Sequence, residues 1–206
     1  TNSAGDEMRR AQATWAAVSV RSRLQIIRCF RHLLAAQADS VAIAAVGAGQ
    51  RPAAEVLTAE IIPLADAGRF LERAAEQLLA PRRVRRRGRP LWLDGVTSAV
   101  HREPFGLVLV IAPSNYPLFL PGVQVLQALV AGNAVLLKPG PGGTGAAREL
   151  VRLLNAAGLP AALLRVLPEL PEAAQAAIRA GVDKVFFTGS ASTGSKILAQ
   201  LAPLAI

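Results

Sequence analysis

The chain contains little cysteine and few aromatic residues. Of its 206 residues only Cys29 is a cysteine, and aromatic side chains make up 4% of the composition. A single cysteine excludes an internal disulfide framework and is typical of proteins from a reducing compartment. Cys29 lies among apolar residues of an amphipathic segment. We therefore expect a small hydrophobic side chain in a helix rather than a reactive thiol.

Long uninterrupted apolar segments are also absent. Residues 105–137 carry no charged side chain, but three prolines and two asparagines divide them. No apolar run reaches the roughly 18 to 20 residues that span a bilayer. The first ten residues lack the apolar core of a signal peptide. These features predict a cytoplasmic protein without a membrane span.

Lysine is scarce in a strongly basic chain. The net charge is +9, yet only Lys138, Lys184 and Lys196 among the 23 basic residues are lysines. Six arginines crowd between Arg82 and Arg89. Because such a cluster can neutralise phosphates, binding of nucleic acid or another polyanion is an alternative function for this chain. No aromatic residue or DNA-binding motif accompanies the arginines, so a solvated loop or the edge of an oligomer contact is the favoured interpretation.

The first 80 residues are predicted to form a helical segment. Apolar positions three and four residues apart indicate helices over residues 7–19, 21–38, 39–47 and 53–79. In the second helix the buried stripe includes Leu24, Ile27 and Leu34. In the last helix Pro63 is expected to cause a kink. The residues expected on its buried face are Val56, Ala59, Ile62, Ala65, Phe70 and Ala74.

Residues 81–103 are predicted to hold the arginine-rich loop and a β-hairpin. The hairpin would pair the segments LWL and TSAVHR around a tight turn at Asp94 and Gly95.

Strands and helices alternate from residue 104 to residue 206. Predicted strands cover residues 106–112, 134–137, 163–167 and 185–188, and predicted helices cover 144–157, 171–181 and 190–201. A further apolar helix, which ends at Gly132, connects the first two strands. Short all-apolar strands joined by helices are typical of parallel sheets that are buried on both faces. The predicted fold class is therefore α/β, with a doubly wound, Rossmann-like sheet that binds a dinucleotide and follows the helical segment and the hairpin.

Three groups of residues follow predicted strands, where ligands bind in open α/β sheets. Residues 140–145 match the Gly-x-Gly-x-x-Gly pattern, and Glu169 follows the next strand as a possible ribose-binding acid. Residues 189–196 offer glycines and Ser190 to a phosphate, but Lys196 comes one residue too late for a P-loop. Asn115 has a neutral amide that can donate a hydrogen bond to an oxyanion.

Four sequence blocks are more specific in combination than any of these motifs alone. They are APSNYPL, ALVAGNAVLLKP, NAAGLP and VDKVFFTGSASTG, within residues 103–200. In this order and spacing they resemble the N-terminal, cofactor-binding half of the aldehyde dehydrogenase superfamily. The resemblance implies a parent enzyme that oxidises a small-molecule aldehyde to an acid with NAD or NADP, and that forms homo-oligomers.

The same resemblance implies roles for individual residues. Asn115 matches the family's oxyanion-hole amide, and Lys138 matches the lysine that binds the adenosine ribose hydroxyls. Ser190 matches the residue that meets the pyrophosphate, with Gly189 allowing its close approach. The glycine pattern of residues 140–145 does not grip phosphate in this family. The remaining implied cofactor-binding residues are Ile111, Ala112, Pro113, Ser114 and Thr193, and no metal ligand is implied.

Some positions depart from the family pattern. Ser114 replaces the usual tryptophan, and Gly140 and Pro141 replace a Ser-Glu pair. Loss of that glutamate removes a carboxylate that would repel a 2′-phosphate, so NADP is expected to be tolerated or favoured. Arg165 and Arg148 are candidate partners for such a phosphate.

The resemblance also implies chemistry that these residues do not supply. The family's cysteine nucleophile and glutamate base lie beyond the matched blocks, and Cys29 belongs to the helical segment. We therefore expect these 206 residues to bind a nucleotide without turning over an aldehyde.

Overall fold

The computed structural model describes residues 2–46, 51–83, 90–93 and 95–204. Helices occupy the N-terminal part of this region. They are α1 (Asn2–Ala17), α2 (Val20–Ala36), α3 (Ala38–Ala45), α4 (Ala53–Val56) and α5 (Ile62–Leu79), with a π-helical turn at Leu57–Ile61 between the last two. None of the helices within the described ranges is long and apolar enough to cross a bilayer.

Helix α2 follows its predicted pattern. Its N-terminus is capped by Ser19, whose Oγ accepts a hydrogen bond from the backbone N of Ser22 at 3.1 Å. The predicted stripe, together with Phe30, is buried. Cys29 lies in this helix as predicted, but its side chain is exposed rather than part of the core.

The predicted buried face of the helix over residues 53–79 is correct at Val56 but wrong at its two large residues after the π-helical turn. Ile62 and Phe70 are 49% and 57% exposed, whereas Leu64, Leu71 and Ala75 are buried. The π-helical turn explains the difference, because its wider turn shifts the register of the residues that follow it. Pro63 lies in the first turn of α5, directly after the π-helical turn.

An antiparallel pair of short strands is present, and one of its two members differs from the prediction. Strand β1 (Arg82–Arg83) pairs with β2 (Ala99–Val100). The segment Leu91–Leu93 instead forms a 3-10 turn, which the hydrogen bond from Leu93 N to Pro90 O closes at 3.0 Å. Asp94 and residues 84–89 lie outside the described residues, as do residues 47–50.

The main sheet confirms the predicted parallel architecture. Its four strands are β3 (Leu107–Ile111), β4 (Ala134–Lys138), β5 (Leu164–Val166) and β6 (Lys184–Phe187). They lie in the order β5-β4-β3-β6, and every neighbouring pair is parallel. The connecting helices are α6 (Phe119–Val130), α7 (Thr144–Ala156) and α8 (Pro171–Gly181), and α9 (Ala191–Leu201) follows β6.

The strand order places helices on both faces. The chain moves outward from β3 through β4 to β5, then returns across the sheet to β6. Since crossovers between parallel strands are right-handed, α6 and α7 cover one face and α8 covers the other. Helices α2 and α5 pack on α6 as an outer layer. All five residues of β3 are buried, as expected for the central strand of a two-faced sheet.

A partly exposed ion pair fixes the entry into β3. Asp183, just before β6, accepts a hydrogen bond from Leu107 N at 2.6 Å and pairs with Arg9 of α1 at 2.6 Å. Gly106 adopts a φ of +120°, and a Cβ there would overlap the Asp183 carboxylate. One carboxylate therefore ties α1, β3 and β6 together.

Replacement of Gly106 by alanine should destabilise the fold strongly. The expected loss in unfolding free energy exceeds the roughly 1–2 kcal/mol that a left-handed backbone costs a side-chain-bearing residue. Gly158 is the matched control, because its φ is +101° and open space surrounds it. Urea denaturation of Gly106→Ala and Gly158→Ala tests this; equal losses would show that the Asp183 contact does not matter.

Candidate functional site

A cleft opens at the carboxyl edge of the sheet, between α8 and α9. Its volume is about 330 Å³. It brings together three of the predicted cofactor-binding residues, namely Ile111 at the end of β3, Lys138 at the end of β4 and Thr193 in the first turn of α9. The other lining residues are Pro171, Ala174, Gln175, Ile178, Lys196, Ile197 and Gln200.

Lys138 is the only one of these lining residues that combines a charge with deep burial. It pairs in register with Ile111, and its residue surface is 7% exposed. Burial lowers the pKa of its ammonium group, while the carboxylates of Glu169 and Glu172 act in the opposite direction. A partly desolvated ammonium at a strand end is suited to donate hydrogen bonds to a ligand hydroxyl.

The N-terminus of α9 borders the cleft. Ser190 is its N-cap, and the Ser190 Oγ accepts a hydrogen bond from Thr193 N at 3.3 Å. Ser190 Oγ also lies 3.0 Å from the Thr193 hydroxyl, and both residues are exposed. A Cβ on Gly189 would strike the Phe187 ring. The cap is neutral, so the positive end of the helix dipole is not compensated by a capping carboxylate.

The loop after β3 carries the predicted oxyanion donor. The sheet pairing extends one residue past Ile111, because Ala112 N donates to Lys138 O at 2.9 Å. Ser114 and Asn115 follow and are exposed. Asn115 is not part of the lining of the α8–α9 cleft. The structure thus separates a cleft near Lys138 from an exposed amide at the end of the neighbouring strand.

The glycine-rich loop of residues 140–145 is occupied by the protein itself. Glu169 accepts hydrogen bonds from Gly142 N at 2.9 Å, from Thr144 N at 2.8 Å and from the Thr144 hydroxyl at 2.6 Å. These bonds, with that of the Thr144 hydroxyl foremost, hold the pKa of Glu169 below its usual value. The suggestion that Glu169 binds a ribose is therefore wrong, because its carboxylate caps α7.

The glycines of this loop serve packing. A Cβ on Gly140 would lie 2.7 Å from Ser114 N and still closer to the Pro113 carbonyl, and one on Gly145 would lie 2.7 Å from Ala44 O. Close backbone approach at Gly140 and Gly145, together with the φ of +77° at Gly142, thus explains the Gly-x-Gly-x-x-Gly match without a phosphate.

Comparison with known proteins shows the family of this chain. The sequence profile of the aldehyde dehydrogenase family matches residues 1–205. The chain belongs to this family of oxidoreductases. An aldehyde dehydrogenase of Brucella melitensis biovar abortus 2308 superposes with a TM-score of 0.85 at 27% identity, covering 97% of this chain and 40% of that one. An indole-3-acetaldehyde dehydrogenase solved with NAD+ superposes at 0.84 and 26% identity, covering 97% and 40%.

Two similar sequences extend the comparison. The N-succinylglutamate 5-semialdehyde dehydrogenase of Novosphingobium aromaticivorans is 33% identical over 94% of this chain and 40% of its own length. A protein assigned as succinate-semialdehyde dehydrogenase [NADP(+)] 2 in Mycobacterium ulcerans is 35% identical over 93% and 36%. The chain thus spans about two fifths of the length of these aldehyde dehydrogenases.

Sequence reasoning missed Lys196 as a lining residue and misjudged two arginines. Lys196 lies three residues after Thr193 on the same side of α9, so helical spacing alone would have found it. Arg165 is instead paired with Glu7 at 3.5 Å, and Arg148 is exposed on α7; neither lines the cleft. The second cation of the cleft is therefore a lysine.

None of the arginines between Arg82 and Arg89 that the structure describes lines the α8–α9 cleft. Arg82 and Arg83 are exposed in β1, and the rest of the cluster lies outside the described residues. Polyanion binding by this segment remains a sequence-based prediction.

Glu169→Gln should destabilise the protein in a pH-dependent way. Because the folded-state pKa of Glu169 is lowered, its stabilisation is present above the pKa of an unfolded glutamate and is lost as the pH falls through the folded value. We expect a loss of about 1 kcal/mol near pH 7, typical of a helix cap, that shrinks in acid. Urea titrations at several pH values measure this, with exposed Glu172→Gln as the control. A loss that is independent of pH would contradict it.

Proposed function

We propose that this chain forms the NAD(P)-binding portion of an aldehyde dehydrogenase. The observation that carries the proposal is Lys138, a buried ammonium at the end of β4 that opens into the α8–α9 cleft. Ile111, Ile178 and Ile197 give this cleft apolar walls suited to a purine ring. Lys138 and Thr193 provide donors at the level of a ribose. The residues present therefore fit the adenosine end of a dinucleotide.

The neighbouring helix terminus suits the pyrophosphate. The first backbone N–H groups of α9 and the Ser190 hydroxyl lie beside Thr193, at the positive end of a helix dipole. Gly189 keeps the approach free of a side chain. At the corresponding termini of α6 and α7, carboxylates from the protein accept the hydrogen bonds.

Asn115 is proposed to serve the reaction rather than the adenosine. Its exposed amide follows β3, where it would donate a hydrogen bond to the oxyanion that forms when a nucleophile attacks an aldehyde. A bound nicotinamide would supply the hydride acceptor for the oxidation. Backbone groups of residues 111–114 would line the path between the two ends of the dinucleotide.

The nucleophile is proposed to come from outside these 206 residues. Cys29 lies on the exposed side of α2, in the helical layer over α6 and α7. A thiol there has no route to Asn115, so the residues present are proposed to bind the cofactor without turnover. Oxidation of an aldehyde through a cysteine thiohemiacetal would require the longer polypeptide that is typical of the relatives.

The cleft favours acceptance of NADP as well as NAD. Of its lining residues in the described part of the chain, Lys138 and Lys196 are cationic and none is acidic. A 2′-phosphate would therefore gain a second positive charge without meeting a carboxylate on the wall.

The three lysines provide a matched set of variants for this proposal. Lys138→Ala should weaken both cofactors by roughly 10- to 100-fold, since hydrogen bonds to charged groups contribute about 1.5–3 kcal/mol. Lys196→Ala should weaken NADP more than NAD. Lys184→Ala is the control. Lys184 lies in β6 with its ammonium group over the Phe105 ring, and it does not line the cleft.

Calorimetric titration of each variant with NAD and NADP measures these effects. No heat and no thermal stabilisation with either cofactor at saturation would overturn the proposed function. Equal losses for NAD and NADP in Lys196→Ala would overturn only the role given to Lys196.

An assembly surface is a second proposal, supported by Trp92. This residue is 79% exposed in the segment that connects β1 to β2, and Val100 of β2 is 40% exposed. Large exposed apolar side chains on neighbouring elements are typical of protein interfaces. We expect Trp92→Ser to shift self-association toward the monomer in sedimentation velocity. Phe70→Ser, which removes another exposed aromatic side chain on α5, is the control. An unchanged distribution in Trp92→Ser would contradict this surface.

A further inference from the structure

A carboxylate is fully buried in the π-helical turn. Glu60 is 0% exposed, among only four polar or charged residues that are buried in the described part of the chain. Burial of an isolated charge is costly, so its partners determine whether it is tolerated. Turns of this type inside α-helices often occur at functional sites. The role of Glu60 is therefore sought in the groups that it contacts.

One oxygen of Glu60 holds the start of α6. Its Oε2 accepts hydrogen bonds from Leu118 N at 2.7 Å and from Phe119 N at 3.1 Å. The N-cap residue of this helix, Leu118, makes no side-chain capping bond. Glu60 thus supplies from 58 residues away the acceptor that a capping side chain ordinarily supplies.

The other oxygen links Glu60 to the loop that carries Asn115. Glu60 Oε1 pairs with Arg51, whose side chain is 17% exposed. The Arg51 guanidinium lies over the Tyr116 ring, 5.5 Å from its centroid. Tyr116 directly follows Asn115. The pair therefore contacts the chain on the C-terminal side of Asn115 at two points.

The N-terminal side of the same loop is also fixed. Gly140 packs so closely on Pro113 and Ser114 that no side chain fits between them. Ser114 and Asn115 are exposed between this contact and the Glu60 contact. An exposed amide is thereby held at both ends by buried groups, as a preorganised hydrogen-bond donor requires.

We propose that Glu60, together with Arg51, is a positioning residue for Asn115. A buried ion pair adds little net stability compared with apolar side chains of similar size, so geometry is the effect to look for. Glu60 fixes the backbone N–H groups of Leu118 and Phe119, and Arg51 fixes the Tyr116 ring. The importance of this for catalysis rests on the oxyanion role proposed for Asn115.

Hydrogen exchange and NMR of the chain itself test the proposal without cofactor. Glu60→Ala should raise the exchange rates of the Leu118 and Phe119 amides at least about tenfold beyond any change in the β3 amides, and should shift the Asn115 side-chain NH₂ signals. Glu60→Gln should restore part of the protection, because its amide oxygen still accepts hydrogen bonds. Arg51→Lys should move the ring signals of Tyr116, the only tyrosine of the chain.

Glu72→Gln is the matched control. Glu72 lies on α5, pairs with Arg31 at 2.7 Å and is 18% exposed, but belongs to the α2–α5 contact. Its loss should lower global stability without changing Leu118, Phe119 or Asn115. If Glu60→Ala does not fold, Glu60→Gln tests the proposal instead, because it should lose part of the exchange protection of the Leu118 and Phe119 amides.

Two results would overturn the proposal. One is protection of Leu118 and Phe119 that is the same in the wild type and in the folded Glu60 variants; the other is an equal response to Glu72→Gln. Failure of the proposed function would be seen in a different experiment, the calorimetric titration with NAD and NADP. A chain that binds no cofactor but responds locally to Glu60 would keep the positioning role and lose the dehydrogenase role.

Discussion

The burial of β3 on both faces is the constraint on which the site depends. Every residue from Leu107 to Ile111 is buried, so no polar group is tolerated along the strand. Polar chemistry is consequently confined to the strand ends. The parallel arrangement brings the ends of β3, β4 and β6 to one edge, where Lys138, the Asn115 loop and Ser190 follow.

Four helices begin at this same edge, and the N-termini of α6, α7 and α9 differ from that of α8 in having a side chain that accepts hydrogen bonds from them. Carboxylates from elsewhere in the chain cap two of these termini: Glu60 caps α6 and Glu169 caps α7. Helix α9 is capped by the neutral Ser190. A capping carboxylate opposes the helix dipole and repels an anion, whereas a hydroxyl does neither. Of these three termini, α9 is therefore the one suited to a pyrophosphate.

The strands and helices of the parallel sheet could be predicted from sequence, because short apolar runs mark the strands and glycine or proline residues mark where the helices begin or end. The four predicted strands agree with the structure to within one or two residues at their ends. Ile111, Lys138 and Thr193 meet in one cleft, as expected of residues that follow neighbouring strands. Other interactions depend on distant residues. The Glu60 contact with Leu118 and the pairing of β1 with β2 join segments whose separation no local pattern specifies.

The glycine pattern of residues 140–145 shows why a motif needs its structural context. The same spacing that suits a pyrophosphate also suits backbone packing on Ser114 and on α3. The decisive feature is the Glu169 carboxylate, which occupies the anion position at α7. Without a tertiary structure, that carboxylate looked like a ribose ligand.

The burial of Lys138 in the α8–α9 cleft lowers the stability of the folded chain. Its pKa is lowered, so in the pH range between the folded and unfolded values the unfolded chain binds more protons than the native one. Stability from this group therefore rises with pH across that range, which means that the charged lysine is a cost to the fold near neutrality. A ligand with phosphate groups near Lys138 would favour the charged form and reduce that cost. This cost to the fold supports the ligand that is proposed for Lys138.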